Sequence, residues 1–390
     1  MKFVITGGGT AGHIYPAIAV GKELEANGHE VLFAGTPNGL EARLAPEAGF
    51  DFKEFEVAGF NRRKPLTLIT SSIKAFKSSK AAKRWLADIE PDAVIGFGGY
   101  VSIPVGKAAK DMRIPLVIHE QNSASGMANK YLASRAAAIA LTYEAAAKYF
   151  KADCPMILTG NPVRAEFLAV EREPSRKMLG IPAGDKLLFV FGGSQGARHI
   201  NTAITALAPK LMEIEGLHVI HICGPKEYDT VKAALGEHGI ECSGPGFTPD
   251  GGWENPGQRY ALTGYFNNMG EALAASDVVV ARAGATSLAE IMAVGAATLL
   301  VPFPFATDDH QTKNAQALVE SGASLMCADD KVESDEFTAK LFELLENDEL
   351  RRKMSEMTFA MGRKNAAKKV AALAIAAANG NIEVGEIDAI

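Results

Sequence analysis

Two glycine-rich turns, about half the chain apart, each follow a short apolar run. The turns are Gly7-Gly8-Gly9-Thr10-Ala11-Gly12-His13 and Gly192-Gly193-Ser194-Gln195-Gly196-Ala197-Arg198. A strand followed by glycines and a helix directs backbone N–H groups and a helix N-terminus to one place. Each turn is therefore suited to a phosphate or another anion, and two such units predict two α/β domains facing one cleft.

The first turn formally matches a dinucleotide fingerprint, Gly7-x-Gly9-x-x-Gly12. An NAD-binding unit, however, normally has an acid at the end of the next strand to hold the ribose. Here the strand at 31–33 is followed by Ala34-Gly35-Thr36, and the corresponding place after the second turn also lacks an acid. Neither turn carries the Gly-Lys-Ser/Thr of a Walker loop. The pattern therefore disfavours a dehydrogenase. The alternative is that the glycines only allow close packing of helix on strand, which explains one such turn more easily than two.

A third group of polar residues follows the apolar run 278–281. Thr286 and Ser287 lie where a helix should begin, so they could cap it, or the helix N-terminus could bind a diphosphate. Glu290 lies one turn further on and could accept hydrogen bonds from a ribose diol, or be an ordinary solvated residue. The segment therefore extends the anion-binding hypothesis to a nucleotide diphosphate.

Neutral polar residues follow the next predicted strand. His310, Gln311 and Asn314 have a spacing that places two or three of them on one helix face, where they suit sugar hydroxyls and an N-acetyl group. The preceding Asp308 and Asp309 are interpreted as a helix N-cap rather than a metal site. The sequence thus predicts a sugar-nucleotide site in the second half of the chain.

The bulk composition limits the classes of protein. The 390 residues fit two domains, and 47% hydrophobic with 22% charged residues is ordinary for a soluble globular protein. A net charge of −6 argues against nucleic acid as a partner. The four scattered cysteines predict reduced thiols in a cytoplasmic protein and no zinc site. Neither a secretory signal nor a membrane span is expected.

Strands and helices are predicted to alternate, which implies parallel sheets covered on both faces. Strands are predicted at 2–6, 30–34, 93–97, 116–119, 138–141, 187–191, 218–223, 278–281 and 298–301, and helices include 14–27, 101–110 and 364–378. The domain boundary is placed near 160–163. Residues 243–259, rich in Gly and Pro, predict an irregular loop, and the last dozen residues are expected to be loose.

The ordered motifs resemble those of the MurG family, the peptidoglycan N-acetylglucosaminyltransferases that convert lipid I to lipid II. Besides the two glycine turns they are Gly98-Gly99-Tyr100, His119-Glu120-Gln121-Asn122, Gly160-Asn161-Pro162-Val163-Arg164, Arg282-Ala283-Gly284-Ala285-Thr286 and His310-Gln311-Thr312-Lys313-Asn314. The resemblance extends from about residue 3 to 375. The stretch 243–259 is longer than expected and puts the uracil contacts near 265–269 in doubt.

The resemblance implies an α/β protein of GT-B fold. Residues 1–162, with a helix at about 362–380 packing back on them, would form a Rossmann-like domain that meets the lipid acceptor. Residues 163–361 would form a second such domain that binds UDP-N-acetylglucosamine. The implied reaction is an inverting transfer of N-acetylglucosamine to the 4-hydroxyl of undecaprenyl-diphosphate-linked N-acetylmuramyl pentapeptide. No cofactor is expected to be required, with assistance by Mg²⁺ left open.

The resemblance also implies roles for residues of these motifs. Thr286, Ser287 and the Ser194 turn would stabilise the leaving diphosphate, Glu290 would hold the ribose, and Gln311, Asn314 and His310 would contact the sugar. Asn122, Arg164 and the turn residues Thr10, Ala11 and Gly12 are further substrate-binding candidates. His13 is the first candidate for the general base, with Tyr100 and Glu120 as acceptor-side alternatives. A histidine that only stabilises its loop through a Gly carbonyl is the other interpretation of His13.

A basic segment occupies residues 61–84, with eight basic residues and no acid. Ile69, Ile73 and Phe76 recur at helical spacing within it, near Lys77 and Trp85. Periodicity alone favours a core-facing helix with a solvated basic face. The lipid-linked acceptor implied by the resemblance instead favours peripheral contact with anionic lipid at the cytoplasmic face of the cell membrane.

Three rival functions stay open at this point. A UDP-N-acetylglucosamine 2-epimerase would share the fold but would carry acidic catalytic residues and no lipid-facing patch. Another GT-B transferase would use a different acceptor. A non-catalytic sugar-nucleotide-binding subunit would have little reason to keep both donor-side and acceptor-side polar groups.

Overall fold

The protein is described by a computed structural model covering residues 1–56, 67–193, 196–242 and 258–390, with side chains in the helix after residue 66 described from Lys77 onward. Two compact units are present. One comprises Met1–Arg164 and Arg363–Ile390, and the other comprises Ala165–Gly362.

The first unit contains a seven-stranded parallel sheet of order β3-β2-β1-β4-β5-β6-β7. Its strands are β1 Lys2–Thr6, β2 Glu30–Gly35, β3 Asp51–Glu54, β4 Ala93–Gly96, β5 Leu116–Glu120, β6 Ala138–Leu141 and β7 Met156–Leu158. Its helices are α1 Ala11–Ala26, α2 Glu41–Glu47, α3 Thr67–Ile89, α4 Ser102–Asp111, α5 Met127–Ala133, α15 Ala366–Ala378 and α16 Val384–Asp388. Two clusters of buried apolar residues form its core, one on each face of the sheet.

The second unit contains a six-stranded parallel sheet of order β10-β9-β8-β11-β12-β13. Its strands are β8 Lys186–Phe191, β9 Leu217–Ile222, β10 Tyr260–Thr263, β11 Val278–Ala281, β12 Thr298–Leu300 and β13 Leu325–Met326. Its helices are α6 Ala165–Ala169, α7 Arg172–Met178, α8 Arg198–Glu213, α9 Tyr228–Glu237, α10 Met269–Ala275, α11 Ala285–Val294, α12 His310–Glu320, α13 Asp335–Glu346 and α14 Asp348–Met361.

Register explains how the glycine turns are positioned. In the first sheet Thr6, at the end of β1, pairs with Gly96 at the end of β4. In the second sheet Phe191, at the end of β8, pairs with Ala281 at the end of β11. Because all these strands are parallel, the loops that follow them meet at the carboxyl edge of each sheet, which is where open α/β sheets bind ligands.

The predicted alternation of helices and parallel strands is confirmed, and the nine predicted strands are present within one or two residues at each end. Four short strands were not predicted, namely β3, β7, β10 and β13. The expectation that the last dozen residues are loose is wrong. Residues 384–388 form α16, and Ile387 is buried in a core cluster of the first unit.

Within the described residues, no helix combines the length and the apolarity needed to cross a bilayer.

Candidate active site

The first glycine turn rests on a buried carboxylate. Glu41, at the start of α2, is fully buried, and its Oε2 accepts a hydrogen bond from the Gly9 N–H at 3.2 Å. Its Oε1 accepts from the Thr36 N–H at 3.1 Å and from the Thr36 hydroxyl at 2.6 Å. A Cβ on Gly8 would overlap this carboxylate, so only glycine permits the approach.

This contact corrects the interpretation of the first turn as an anion site. One of its backbone donors is used by a carboxylate of the protein itself, and that negative charge disfavours a phosphate on the same N–H. Sequence reasoning missed Glu41 because it searched for an acid directly after β2. The flanking Gly35 and Gly39, at both of which a Cβ would overlap the Glu41 side chain, are the sequence signal of this buried residue.

We expect Glu41→Gln to destabilise the first unit. The amide cannot accept from every donor that the carboxylate satisfies, so a buried N–H or O–H is left unpaired at about 1–3 kcal/mol. Urea unfolding followed by circular dichroism measures this loss. The matched control is Glu47→Gln on the same helix, where the side chain is exposed and forms an ion pair with Arg43. Equal unfolding curves for the two variants would contradict the assignment.

His13 is the third residue of α1, half-buried beside the first glycine turn. Its Nδ1 lies 2.9 Å from the Gly8 carbonyl oxygen and 3.1 Å from the Thr10 hydroxyl. A carbonyl oxygen can only accept, so Nδ1 carries the proton, and the lone pair of the neutral ring is on Nε2. The contact to Gly8 is the loop-stabilising interaction considered above. It also fixes the tautomer in which Nε2 can accept a proton, as a general base must.

The loop after β4 packs directly on the first turn. A Cβ on Gly99, whose φ is +76°, would overlap the Gly8 carbonyl oxygen. Tyr100 is 39% exposed, and its ring lies beside Gly9, 3.8 Å from the position of a Cβ there. Tyr100 is therefore accessible at the same carboxyl edge as His13, as the acceptor-side prediction requires.

Glu120, at the end of β5, is committed to its own loop. It is buried, and its carboxylate accepts hydrogen bonds from the Asn122 N–H, the Ser125 hydroxyl, the Gly126 N–H and the Asn129 amide. This corrects the acceptor-side interpretation of Glu120. A buried carboxylate that accepts from four residues of its own loop holds residues 120–129 in place, and the half-buried Asn122 is the candidate that this loop presents.

His119 links two strand ends beneath these loops. Its Nε2 donates to the Gly160 carbonyl oxygen at 3.0 Å, and its Nδ1 accepts from Gln121 at 3.0 Å. Burial lowers the pKa of His119 to about 4, so the ring is neutral at physiological pH. It is therefore a positioning residue for the loop 160–164. Arg164, four residues further on, places its guanidinium 4.1 Å from the centre of the Tyr15 ring.

The three remaining candidates of the first unit lie on the same turn. Thr10 is exposed at the N-cap position of α1, and Ala11 and Gly12 are half-buried in its first turn. Their contact with a substrate stays a prediction.

The second glycine turn is folded tightly against β9. A Cβ on Gly196, whose φ is +76°, would overlap the Cys223 carbonyl oxygen, and the same oxygen accepts from the Asn201 amide at 2.9 Å. His221, whose pKa burial lowers to about 3, lies 3.0 Å from Asn201. This buried network fixes the start of α8. Ser194 itself lies outside the described residues.

The segment after β11 begins α11 with its polar residues in the first turns. The N-cap is Gly284, in an extended conformation, so Thr286 and Ser287 are the second and third helical residues. The alternative that they cap the helix is therefore wrong. Both are half-buried, and Glu290 is 6% exposed one turn later. Glu290 is therefore not the solvated surface residue that was the alternative.

The residues of α12 face the same edge. Asn314 is fully buried, and its amide donates to the Ala283 carbonyl oxygen at 3.3 Å, which ties α12 to the loop before α11. Gln311 Oε1 accepts from the Phe303 N–H at 3.0 Å, and His310 Nδ1 donates to the Thr307 carbonyl oxygen at 2.7 Å. The structure thus brings Asn314 to the start of α11, and His310 and Gln311, the first two residues of α12, form hydrogen bonds with the loop after β12.

Asp308 and Asp309 do not cap α12 through their side chains. Asp309 occupies the N-cap position without a side-chain hydrogen bond, and both residues have a φ of +53°. Left-handed backbone at two successive non-glycine residues is uncommon and strained. Lys313 donates to the Asp308 carbonyl oxygen at 2.7 Å and stabilises this turn. Among the residues that the structure describes, no group of three or more His, Cys, Asp or Glu side chains is arranged to hold a metal ion.

The segment predicted to contact uracil follows β10. Tyr265 is 62% exposed, and its N–H donates to the Thr263 hydroxyl at 3.2 Å. Most of the preceding loop, residues 243–257, lies outside the described residues. The uracil contact stays a prediction.

The predicted membrane segment is described from residue 67 in its backbone and from Lys77 in its side chains. Ile69, Ile73 and Phe76 have side chains outside the described residues. In the described part, Ser78, Ala82 and Leu86 are buried, while Lys77, Lys80, Lys83 and Arg84 are exposed. The Trp85 ring is half-buried and lies 5.6 Å from the Phe55 ring. Trp85 therefore packs partly within the first unit, and its contact with a membrane stays a prediction.

The two halves of the chain match the two domains of one enzyme family. Residues 3–141 match the Glycosyltransferase family 28 N-terminal domain, and residues 187–370 match the Glycosyltransferase family 28 C-terminal domain. With its two parallel sheets, the chain is a glycosyltransferase of family 28 with the GT-B fold.

Relatives with established names define the group more narrowly. The chain is 40% identical over 365 residues to a protein of Halothermothrix orenii, covering 93% of this chain and 95% of that one. It is 36% identical over 372 residues to a protein of Acetivibrio thermocellus, covering 95% and 96%. Both are named UDP-N-acetylglucosamine–N-acetylmuramyl-(pentapeptide) pyrophosphoryl-undecaprenol N-acetylglucosamine transferase. The chain belongs to the MurG family.

Solved structures agree with this assignment. The crystal structure of Acinetobacter baumannii MurG matches with a TM-score of 0.74 and 27% identity, covering 96% of this chain and 99% of that one. A UDP-GlcNAc 2-epimerase from Neisseria meningitidis matches with a TM-score of 0.64 at 14% identity, covering 98% and 100%. At that identity the epimerase shares the fold alone.

Proposed function

We propose that this protein transfers N-acetylglucosamine from UDP-N-acetylglucosamine to the 4-hydroxyl of undecaprenyl-diphosphate-linked N-acetylmuramyl pentapeptide, converting lipid I to lipid II in peptidoglycan synthesis. The names of its relatives, which specify this donor and this acceptor, support the substrate pair. The observation that carries the donor half is the convergence of the buried Glu290 and Asn314 on the first turns of α11.

The second unit holds the donor in this proposal. The diphosphate lies at the N-terminus of α11, where backbone N–H groups and the hydroxyls of Thr286 and Ser287 can donate to it. The Ser194 turn is the second donor group. Glu290 accepts from the ribose diol, and His310, Gln311 and Asn314 contact the sugar.

The chemical step is an inverting displacement. The acceptor 4-hydroxyl oxygen attacks the anomeric carbon from the face opposite the α-linked UDP, the bond from that carbon to the diphosphate oxygen breaks, and a β-1,4 bond forms. His13 Nε2 accepts the hydroxyl proton, and the leaving UDP carries away the bonding electron pair. Fixed donors aimed at the diphosphate stabilise its developing charge without reorganisation. No bound cation is required in this scheme.

A transfer assay tests the function and separates it from its rivals. Radiolabelled UDP-N-acetylglucosamine is incubated with lipid I, and the expected result is labelled lipid II that forms equally in EDTA. An epimerase would instead release the 2-epimer of the donor without needing lipid I. Label appearing only on a different acceptor would identify another transferase, and binding without any product would indicate a non-catalytic subunit.

Peripheral contact with anionic lipid at the cytoplasmic face of the cell membrane completes the proposal. The acceptor named for the relatives is linked to undecaprenol, and α3 exposes the basic patch defined by Lys77, Lys80, Lys83 and Arg84. Each basic side chain near an anionic surface contributes about 1 kcal/mol to binding.

We expect the fourfold Gln variant of this basic patch to partition at least ~10-fold more weakly onto anionic vesicles than the unmodified protein. Co-sedimentation at low and high salt measures the effect. The matched control replaces four exposed lysines of the second unit, Lys177, Lys210, Lys226 and Lys232, by Gln. An equal loss of vesicle binding in both variants would contradict a specific role of α3, and so would an absence of binding by the unmodified protein.

A further inference from the structure

A buried carboxylate joins two loops of the second unit that the chemistry described so far does not connect. Asp329 has a side chain that is 6% exposed, and its Oδ1 forms an ion pair with Arg282 at 2.5 Å. Its Oδ2 lies 2.6 Å from His199 Nδ1. Because a carboxylate oxygen accepts, His199 donates through Nδ1. We call these three residues the Asp329 bridge.

The bridge spans the point where the strand order of the second sheet reverses. Arg282 directly follows β11, and His199 is the second residue of α8, after β8. Strands β8 and β11 are neighbours, but β8 continues in sequence to β9 on one side and β11 to β12 on the other. Ligands of open α/β sheets bind at this kind of switch point.

The start of α8 is held from two directions. On the β9 side, Asn201 donates to the Cys223 carbonyl oxygen at 2.9 Å. On the other side, His199 pairs with Asp329, and among the described residues of α8 no second residue does so. Arg282 also donates to the carbonyl oxygens of Val301 and Pro302, each at 3.1 Å, so the bridge reaches the end of β12 as well.

We propose that Asp329 is a positioning residue for sugar-nucleotide binding, acting through His199 and Arg282 to fix the spacing between the start of α8 and the loop that begins α11. This inference rests on the proposed donor site and names residues that set its geometry without touching the nucleotide. The two tied segments carry the backbone donors for the diphosphate. A fixed spacing lets both engage the same ligand at once, and preorganisation of this kind raises affinity.

His199→Ala is the primary test because the His199 side chain is 54% exposed, so its removal leaves no buried void. Asp329→Asn is the second variant, and it also removes the counter-ion of the buried Arg282. Removing one charge-assisted hydrogen bond is expected to weaken UDP binding roughly 3- to 10-fold in His199→Ala, measured by calorimetry. The donor KM rises by a similar factor, while kcat at saturating donor stays unchanged.

Two comparison variants separate positioning from general stability. His199→Asn keeps a side-chain N–H in the place of Nδ1 for Asp329 and is expected to retain most of the affinity. His218→Ala removes a different His–Asp pair of this unit, His218 with Asp185 at 2.8 Å, which lies at the amino edge of the sheet. This variant is expected to leave UDP affinity unchanged.

The outcomes divide cleanly. Unchanged UDP affinity in both His199→Ala and Asp329→Asn would overturn the inference, as would an equal loss in His218→Ala or a loss of kcat with unchanged affinity. Absence of UDP binding by the unmodified protein would instead overturn the proposed donor site, independently of the bridge.

Discussion

Replacement of His13 by Ala is expected to reduce turnover by roughly 10²- to 10⁴-fold, the contribution typical of a positioned general base. The donor affinity is expected to stay unchanged, because the proposed donor contacts lie in the second unit. Initial rates of lipid II formation, together with calorimetric UDP binding, measure both quantities. The matched control is His29→Ala, which removes a histidine from the same unit away from the glycine turn.

A second substitution distinguishes the two interpretations of His13. The Asn side-chain N–H can occupy the place of Nδ1 and donate to the Gly8 carbonyl oxygen, which His13 contacts at 2.9 Å, but Asn offers nothing in place of Nε2. His13→Asn is therefore expected to be as slow as His13→Ala. Recovery of turnover in His13→Asn would assign His13 to holding its loop, and the base would have to be sought elsewhere, first at Tyr100.

Glu290→Gln is expected to weaken donor binding by about 10- to 100-fold, with a smaller effect on kcat. A hydrogen bond from a ribose hydroxyl to a buried carboxylate is stronger than one to a neutral amide. Calorimetry with UDP gives the affinity, and Glu320→Gln, an exposed position on α12, is the control.

The nucleotide itself supplies a sharper test of the ribose contact. If Glu290 accepts from the diol, the unmodified protein binds UDP more tightly than 2′-deoxy-UDP, and Glu290→Gln loses most of that preference. This double comparison isolates the pairwise interaction from any general effect of the substitution. A preference that survives in Glu290→Gln would remove the ribose assignment.

Sequence periodicity predicted the elements that carry the site and missed the small ones around them. Strands β1, β8 and β11 are mostly apolar runs, and each is followed by a segment that contains glycine, so their positions and the carboxyl-edge loops could be predicted. Strand β13 has two residues and β7 has three, too few to show a period. They are stabilised by pairing with neighbours that lie far away in sequence, a tertiary contribution absent from any local window.

Contacts between residues far apart in the sequence also could not be predicted. Glu41 approaches the first glycine turn across 32 residues, and Asp329 approaches His199 across 130 residues. Gly35 and Gly39 are the only local signal for Glu41 that we find, and we find none near Asp329. Glu120, by contrast, was noticed because it lies in a motif, yet its carboxylate is used by its own loop. Of these three acids the sequence singled out only Glu120, and only packing showed what each one binds.

A crystal structure of the protein with UDP-N-acetylglucosamine would test the central claim most directly. The account predicts the diphosphate at the N-terminus of α11 beside Thr286 and Ser287, the ribose hydroxyls on Glu290, and no cation between the phosphates and the protein. Density for UDP away from α11, or a diphosphate held chiefly through a metal ion, would contradict it.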